Sequence, residues 1–427
     1  MNITKKYAVR DLKLAEQGFR NIRFAELQMK ALMRIKKDFE KRKPLKGLRI
    51  GMALHVTKET AVLAKTLISG GAEISVASCN PLSTQDDVAA ALAKLGVRVF
   101  AWKGETKEEY YKNIERVLSF CPNFTIDDGC DLVSAVHEKH SDLIQNIIAG
   151  SEETTTGVIR LKSMEREKRL KYPIIAVNES KTKNLMDNVY GTGQSAIDGI
   201  IRCSNILFAG KTVVVCGYGN CGKGVSLRAR GLGANVIVVE VDNFKALQAF
   251  MDGFRVMRLR EAAKIGDIFI TVTGNKNVIR YEHIALMKDG AILANAGHFD
   301  VEIDVKSLEK NALAKKRIRP LFDEYFVKFK NKTKSIFLCG EGRLVNLACA
   351  EGHPSSIMDL SFCNQALAVE YAYEMFKKGK RLDARVHNLP ENIDEKIAEI
   401  YLKANGINID KTTREQREYL KSWNHGT

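Results

Sequence analysis

Proline is scarce in this chain: 7 residues in 427, against 31 glycines. With no repeat of fixed period, that excludes collagen-like and low-complexity classes. No apolar run approaches the roughly 18 residues of a membrane span. The start, Met-Asn-Ile-Thr-Lys-Lys, has no apolar stretch of the kind a secretory signal needs. The 9 cysteines are odd in number and never spaced C-x-x-C. They read as reduced thiols in a cytoplasmic protein rather than a disulfide framework. No metal site is expected: His137 and His140 share a helix face but have no Cys or carboxylate at ligand spacing, and read as surface residues.

What is present is a globular composition. Hydrophobic residues make up 45% and charged residues 28%, which rules out global disorder. The length implies two or three domains. Lys and Arg outnumber Asp and Glu by 67 to 51, a formal charge of +16, and residues 1–50 alone hold 15 against 5. A basic excess can mark a nucleic-acid or membrane contact. Here, however, Phe19, Ile22, Ala25, Met29, Leu32, Ile35 and Phe39 recur at three- and four-residue steps. The segment predicts an amphipathic helix with a solvated basic face. Neither nucleic acid nor a membrane is expected as a partner.

Strand-like and helix-like stretches then alternate. Strands are predicted at 48–54, 72–77, 97–101, 124–127 and 174–177, with helices between, beginning at 59–69. Such alternation predicts parallel βαβ units. A second α/β block runs from about Ser195 to Asn346, with strands at 212–216, 236–239, 268–272 and 291–294 and a hairpin over 326–338. Residues 352–377 return to helix, 377–385 form a charged linker, and Thr413-Arg-Glu-Gln416 is a capping-box pattern before a short helix.

The second block opens on a dinucleotide signature. The buried-strand run Val213–Cys216 leads into Gly217-Tyr-Gly219-Asn220-Cys-Gly222-Lys-Gly224, then a helix, then Val236-Ile-Val-Val-Glu240. A lone G-x-G-x-x-G is weak, but strand, helix and an acid at the end of the next strand make the context strong. Gly217 allows the tight turn. Gly219 lets backbone approach a pyrophosphate, whose charge meets the helix N-terminus. Gly222 lets helix and strand pack closely. Glu240 can accept from both ribose hydroxyls and would repel a 2′-phosphate, so NAD is expected over NADP. Asp242 is a rival for the ribose role.

Polar clusters stand at strand ends, where α/β sheets bind ligands: His55 with Thr57 and Glu59, Asp127-Asp128-Gly129, Glu152 to Thr156, Lys183 with Asp187 and Asn188, Asn295 to Asp300, and Gly352-His353-Pro354. Each alone has a plain reading. Asp127-Asp128-Gly129 could be a turn, Ser151-Glu-Glu a helix cap, and Glu59 part of a solvated helix face. Together they do not. With Asn80-Pro-Leu-Ser-Thr-Gln-Asp86, Ser151-Glu-Glu-Thr-Thr-Thr-Gly157, Asn295-Ala-Gly-His-Phe-Asp300 and Glu341-Gly-Arg-Leu-Val-Asn-Leu347, the chain resembles the S-adenosylhomocysteine hydrolase family from about Lys43 to His425.

The resemblance implies an α/β fold in which a substrate domain (1–185, completed by 350–382) and a Rossmann-type NAD domain (190–348) each carry a mainly parallel sheet, followed by a C-terminal oligomerisation arm (383–427) in a homotetramer. It implies a cycle of 3′-oxidation by bound NAD, 4′-proton abstraction, loss of homocysteine from C5′, water addition and re-reduction. It places Lys183 and Asp187 at the ribose hydroxyls, with Lys183 and Asp128 as the base system, Glu153 as ribose contact and proton partner, and His55 and His298 as the acid–base pair at C5′. Thr154, Thr155, Thr156, Asn188, the Gly219–Gly224 loop with Asn220, Glu240, Lys245, Ala296, Gly297 and Asn346 are implied NAD contacts. Thr57, Glu59 and His353 are implied adenine-side contacts, Asn188 is implied to touch substrate as well as NAD, and Thr57 and Glu59 match the adenosine-using pattern rather than that of inosine-using relatives. The chain departs from the pattern at Cys130, where a glycine is common, and at Asn220-Cys221 inside the glycine loop. Its tail also ends before the Lys and Tyr that touch a neighbour's NAD in the longer forms.

Overall fold

The computed structural model describes residues 6–330 and 332–424. Expectations that reach residues 1–5, Asn331 in the hairpin turn and 425–427 lie outside them. Two eight-stranded sheets organise the chain. The first holds β1 (Tyr7–Ala8), β2 (Arg49–Ala53), β3 (Glu73–Ala77), β4 (Arg98–Phe100), β5 (Phe124–Asp127), β6 (Ala149–Glu152) and β7 (Ile174–Ala176). The second holds β8 (Thr212–Cys216), β9 (Asn235–Val239), β10 (Arg255–Val256), β11 (Ile268–Thr271), β12 (Ala291–Asn295), β13 (Ala312–Arg319), β14 (Phe322–Phe329) and β15 (Lys332–Cys339). β16 (Val386–His387) then returns to the first sheet beside β7.

The first sheet, in order β1-β4-β3-β2-β5-β6-β7-β16, is parallel throughout. The second, β10-β9-β8-β11-β12-β15-β14-β13, is parallel up to β15 and antiparallel beyond. Continuous apolar strands fit this placement: Val213, Val214, Val215 and Cys216 are all fully buried, as a strand covered on both faces requires.

Three of the differences from expectation bear on the core and the site. The first is β6, an Ala-Gly-Ser-Glu strand without a β-branched residue, held between β5 and β7. Its neighbours supply the pairing that its propensity does not. The second is β13, a Lys/Arg-rich edge strand whose charge masks it as a strand and blunts the edge. The third is the N-terminal helix, which is two helices: α1 (Ala15–Gln28) and α2 (Lys30–Arg42), broken at Met29 with φ −91° and ψ 59°. The break frees the N–H groups of Ala31 and Leu32, and both donate to the carboxylate of Asp359 (2.9 and 2.7 Å) from a distant helix.

That distant helix, Ser355–Lys377, completes the core of the first body: Leu360, Phe362, Ala366 and Val369 pack with Ile50, Met52 and Val76. Ile397 of the helix Glu391–Ala404 joins the same core. Of the stretch expected as an arm, residues 386–404 therefore pack on their own chain. Further on, Ile409, Leu420 and Trp423 are exposed, and Thr413 and Gln416 form the capping box.

Candidate active site

Residues from the carboxyl ends of both sheets line one cleft of about 1050 Å³. β2 delivers His55, β5 Asp128, β6 Glu153, β8 the glycine loop, β9 Glu240 and β12 Ala296 to His298. This is where open α/β sheets place ligands.

One cluster centres on Lys183. Its Nζ lies 2.9 Å from Asp187 Oδ2 and 3.6 Å from Glu153 Oε1, and donates to Asn188 Oδ1 at 2.9 Å. All four residues are buried. Burial lowers the Lys183 ammonium, but the charges of Asp187 and Glu153 outweigh it and hold its pKa above the usual value. Burial raises Asp187, but Lys183 and His353 outweigh it and hold that carboxylate low. Glu153 is pushed up to about 7, chiefly by burial, against the pull of Lys183. Asp187 also meets His353 Nδ1 and accepts from Ser361 Oγ at 3.0 Å, and Gln365 Nε2 donates to Glu153 Oε2 at 2.6 Å. Asp187 opens a π-helical turn to Gly191, a geometry frequent at functional sites. A Cβ on Gly191 would stand 2.6 Å from Asp187 Oδ1 and 2.8 Å from His353 Nδ1, so glycine permits their contact.

The second cluster places Asp128 between two imidazoles: His55 Nε2 is 3.5 Å from Oδ2 and His298 Nδ1 is 3.6 Å from Oδ1. His55 Nδ1 pairs with Ser83 Oγ at 2.8 Å. Burial lowers His55 to about 4 despite Asp128, so its ring is neutral at physiological pH. Asp128 thus pairs with the histidines, while Lys183 pairs with Glu153 and Asp187. Cys130, in the family's glycine position, adopts the left-handed region with φ 68°, which explains why glycine suits that position.

The dinucleotide side is built from backbone. Gly217 has φ +112°, and a Cβ on Gly222 would lie 2.1 Å from Gly217 O. A Cβ on Gly219 would meet nothing within 4 Å, so this turn presents open backbone. Glu240 accepts the N–H groups of Tyr218 (2.7 Å), Val241 (2.7 Å) and Asp242 (3.1 Å). That leaves it acceptor capacity for a hydroxyl. Asp242, the rival, caps the helix Asn243–Met251 through Phe244 and Lys245 N–H groups. Thr154 stands at the N-cap position of the helix Thr155–Arg166 without a side-chain capping bond, Thr155 Oγ1 accepts from Asn178 Nδ2, and Thr156 faces Gly274 across the cleft. Asn220 bonds Asn184, Gly297 N–H donates to Asn295 Oδ1 at 2.8 Å, and Lys245 and Ala296 line the wall. Asn346 Nδ2 donates to Ser195, while its buried Oδ1 has no partner among the described residues. An open glycine turn, an anionic ribose acceptor and an orphan buried carbonyl fit a dinucleotide with a terminal amide.

At the far end, Thr57 and Glu59 begin the helix Lys58–Ser69. Glu59 is 1% exposed and accepts from Ser355 Oγ, so it is not on a solvated face. Lys58 lies 3.4 Å from it but does not line the cleft. His353 Nε2 is 3.3 Å from Thr192 Oγ1. Sequence reading did not single out Ser361 and Gln365, whose helix arrives from far along the chain, or the individual roles of Ser83 and Gln85. Ser83 orients His55, and Gln85 Oε1 accepts the N–H of Lys58 at 2.9 Å. The only signal for that pair was their place in the 80–86 motif.

Residues 6–146 match the family model of S-adenosyl-L-homocysteine hydrolase, and residues 188–352 match the NAD binding domain of that enzyme. An S-inosyl-L-homocysteine hydrolase of Methanocaldococcus jannaschii is 57% identical over 421 residues, 99% of this chain and 100% of that one. An adenosylhomocysteinase of Sulfurisphaera tokodaii is 58% identical over the same shares. An adenosylhomocysteinase of Pyrococcus abyssi is 55% identical over the full length of both chains.

Proposed function

The chain belongs to the S-adenosyl-L-homocysteine hydrolase family, and from that premise we propose that it cleaves S-adenosyl-L-homocysteine reversibly into adenosine and L-homocysteine, with NAD as bound cofactor. The observation that carries this reading is the pairing of two acid–base clusters, Lys183–Asp187–Glu153 and His55–Asp128–His298, in one cleft beside a dinucleotide cradle. Bound NAD would supply reversible hydride chemistry at the ribose 3′ carbon, with no net redox change over the cycle. Gly217, Gly219, Glu240 and Asn346 would hold it, whereas Gly222 and Gly224, where a Cβ would strike Gly217 O and Val189 O, pack behind the turn and do not line the cleft.

The chain's own residues position the ribose and move protons. Asp187 and Glu153 accept from the ribose hydroxyls. Lys183 relays the 3′ proton: its ammonium, held charged by its carboxylates, passes a proton to Glu153, 3.6 Å away, and the amine so formed takes the one from the 3′-hydroxyl. Asp128 accepts the 4′ proton, positioned by the two histidines beside it. His55, neutral at working pH, and His298 exchange protons with the leaving thiolate and the incoming water at C5′. Thr57, Glu59 and His353 hold the base.

Adenine rather than hypoxanthine is favoured by Glu59. A buried carboxylate accepts from a 6-amino group and repels a 6-carbonyl, and a site built around one polar group discriminates by orders of magnitude. The test is kcat/KM for the adenosyl and inosyl substrates in wild type and Glu59→Gln. Preference of the wild type for the inosyl substrate overturns the choice of base, and an unchanged ratio in the variant shows that Glu59 is not the reader. Homocysteine release without net NADH separates this hydrolase from an ordinary dehydrogenase and from an inactive homologue. The reading includes a cytoplasmic homotetramer, supported by the unpaired thiols and by exposed Val241, Phe244, Leu420 and Trp423. Light scattering in solution tests the assembly.

A further inference from the structure

β5 and β6 lie side by side with Asp127 opposite Glu152, both fully buried. Neither has a role in the scheme above. Asp127 accepts the N–H of Asp128 (2.9 Å) through Oδ1 and of Val133 (2.8 Å) through Oδ2. Glu152 Oε1 accepts the N–H of Gly129 (2.9 Å) and of Thr154 (3.0 Å). The Glu152 bonds fall on the residues that immediately follow Asp128 and Glu153. Glu153 N–H donates to Asp127 O at 3.0 Å, and Gly129 backs His298, since a Cβ there would stand 2.4 Å from its Nε2.

The ionisable surroundings are Asp128, Asp131, the Cys79 and Cys130 thiols, the Tyr110 and Tyr172 hydroxyls, and Arg160, whose guanidinium bonds Gly129 O and Asp131. Among the described residues no ammonium or guanidinium pairs with either carboxyl. Two buried carboxyls side by side without a counter-ion do not both ionise. Burial above all raises both: Asp127, with the charge of Asp131 added, to about 7, and Glu152, with those of Asp127 and Asp128, well above the usual range. Glu152 Oε2 accepts from no donor among the described residues, so nothing there stabilises a second negative charge. A Cβ on Gly157 would lie 2.1 to 2.4 Å from the three carboxyl atoms of Glu152. Gly157 is inside a helix, where alanine is the better former.

We propose that Asp127 and Glu152, holding one proton between them, are positioning residues of the reaction: Glu152 ties the loop bearing Asp128 to the loop bearing Glu153, and Gly157 is the slot that admits it. The proposal rests on the hydrolase reading above. It differs from that reading in what would break it, so wild-type homocysteine release is measured first and checks that reading alone. Then Glu152→Gln, Glu152→Ala and Gly157→Ala are compared as holoenzymes for kcat, KM and melting temperature. The amide of Glu152→Gln keeps the Oε1 acceptor and puts a neutral NH2 where Oε2 stood. It should stay within about 3-fold of wild type near neutral pH and lose the alkaline fall that departure of the shared proton causes. Gly157→Ala, which alters no cleft residue, should lose about 10²-fold in kcat with KM nearly unchanged, as small misplacements of catalytic groups do, and should melt at a lower temperature because Glu152 is displaced, yet remain folded at the assay temperature. Glu152→Ala should match it if it folds. Glu152→Gln as impaired as Gly157→Ala overturns the shared proton, and a Gly157→Ala enzyme like wild type overturns the slot.

Discussion

Removing the charge of Asp187 should cost the fold far more than one surface ion pair would. Lys183 and Asp187 are 5% and 1% exposed, with Nζ and Oδ2 2.9 Å apart. At an effective dielectric of about 20, two unit charges at that distance attract by about 6 kcal/mol, an upper bound before desolvation. Deleting one member of a buried pair typically costs about 3–5 kcal/mol, because the survivor stays buried without compensation. Asp187→Ala and Lys183→Met should each show a loss of that size. The double variant should lose clearly less than the sum, since no charge is left stranded. Urea unfolding of the four proteins at pH 7, with the slope checked for constancy, measures this without any turnover. Single losses within about 1 kcal/mol of wild type, or additive losses in the double variant, would refute the claim that the two groups form one buried unit.

Glu240→Ala should weaken NAD retention and admit NADP, because the acid that opposes a 2′-phosphate is gone; equal activity of the wild type with both cofactors would contradict this. Glu153 gives a pH signature. Its folded pKa is raised, so its contribution to stability is complete below the unfolded value near 4.3 and is lost as pH rises to about 7. The stability of wild type relative to Glu153→Gln should thus fall by roughly 3 kcal/mol between pH 4.5 and 7. A difference that does not change with pH would argue against a protonated Glu153. His55→Asn should still reduce bound cofactor when adenosine is added, whereas Lys183→Ala should not, and an identical early block in both would show that the two clusters do not divide the work. Asp359→Ala should lower the melting temperature, since it orphans two buried N–H groups at roughly 1–3 kcal/mol each; an unchanged melting temperature would show that the break at Met29 holds without that cap.

The glycine signature and the strand-end acids were legible in the sequence because each answers to a local rule. Gly217 needs its positive φ, Gly222 its missing Cβ, and a buried strand needs its run of valines. What stayed hidden depends on pieces far apart in the chain. The break at Met29 cannot be read from residues 15–42, whose apolar spacing continues through it. It exists because Asp359 supplies the two acceptors that a broken helix needs. The site follows the same logic. Lys183 and Asp187 are one helical turn apart, and their pairing is visible at that spacing. That Lys183 also meets Glu153, and that Glu153 is anchored by Gln365, needs β6 to be a strand and the 355–377 helix to cross it. Since β6 has no strand propensity of its own, Ser151-Glu-Glu reads locally as a cap, although Glu152 has a strand's register with Asp127. A local reading of these carboxylates therefore recovers their presence at the site, while their partners, and hence their protonation, follow from the sheet that sets them side by side.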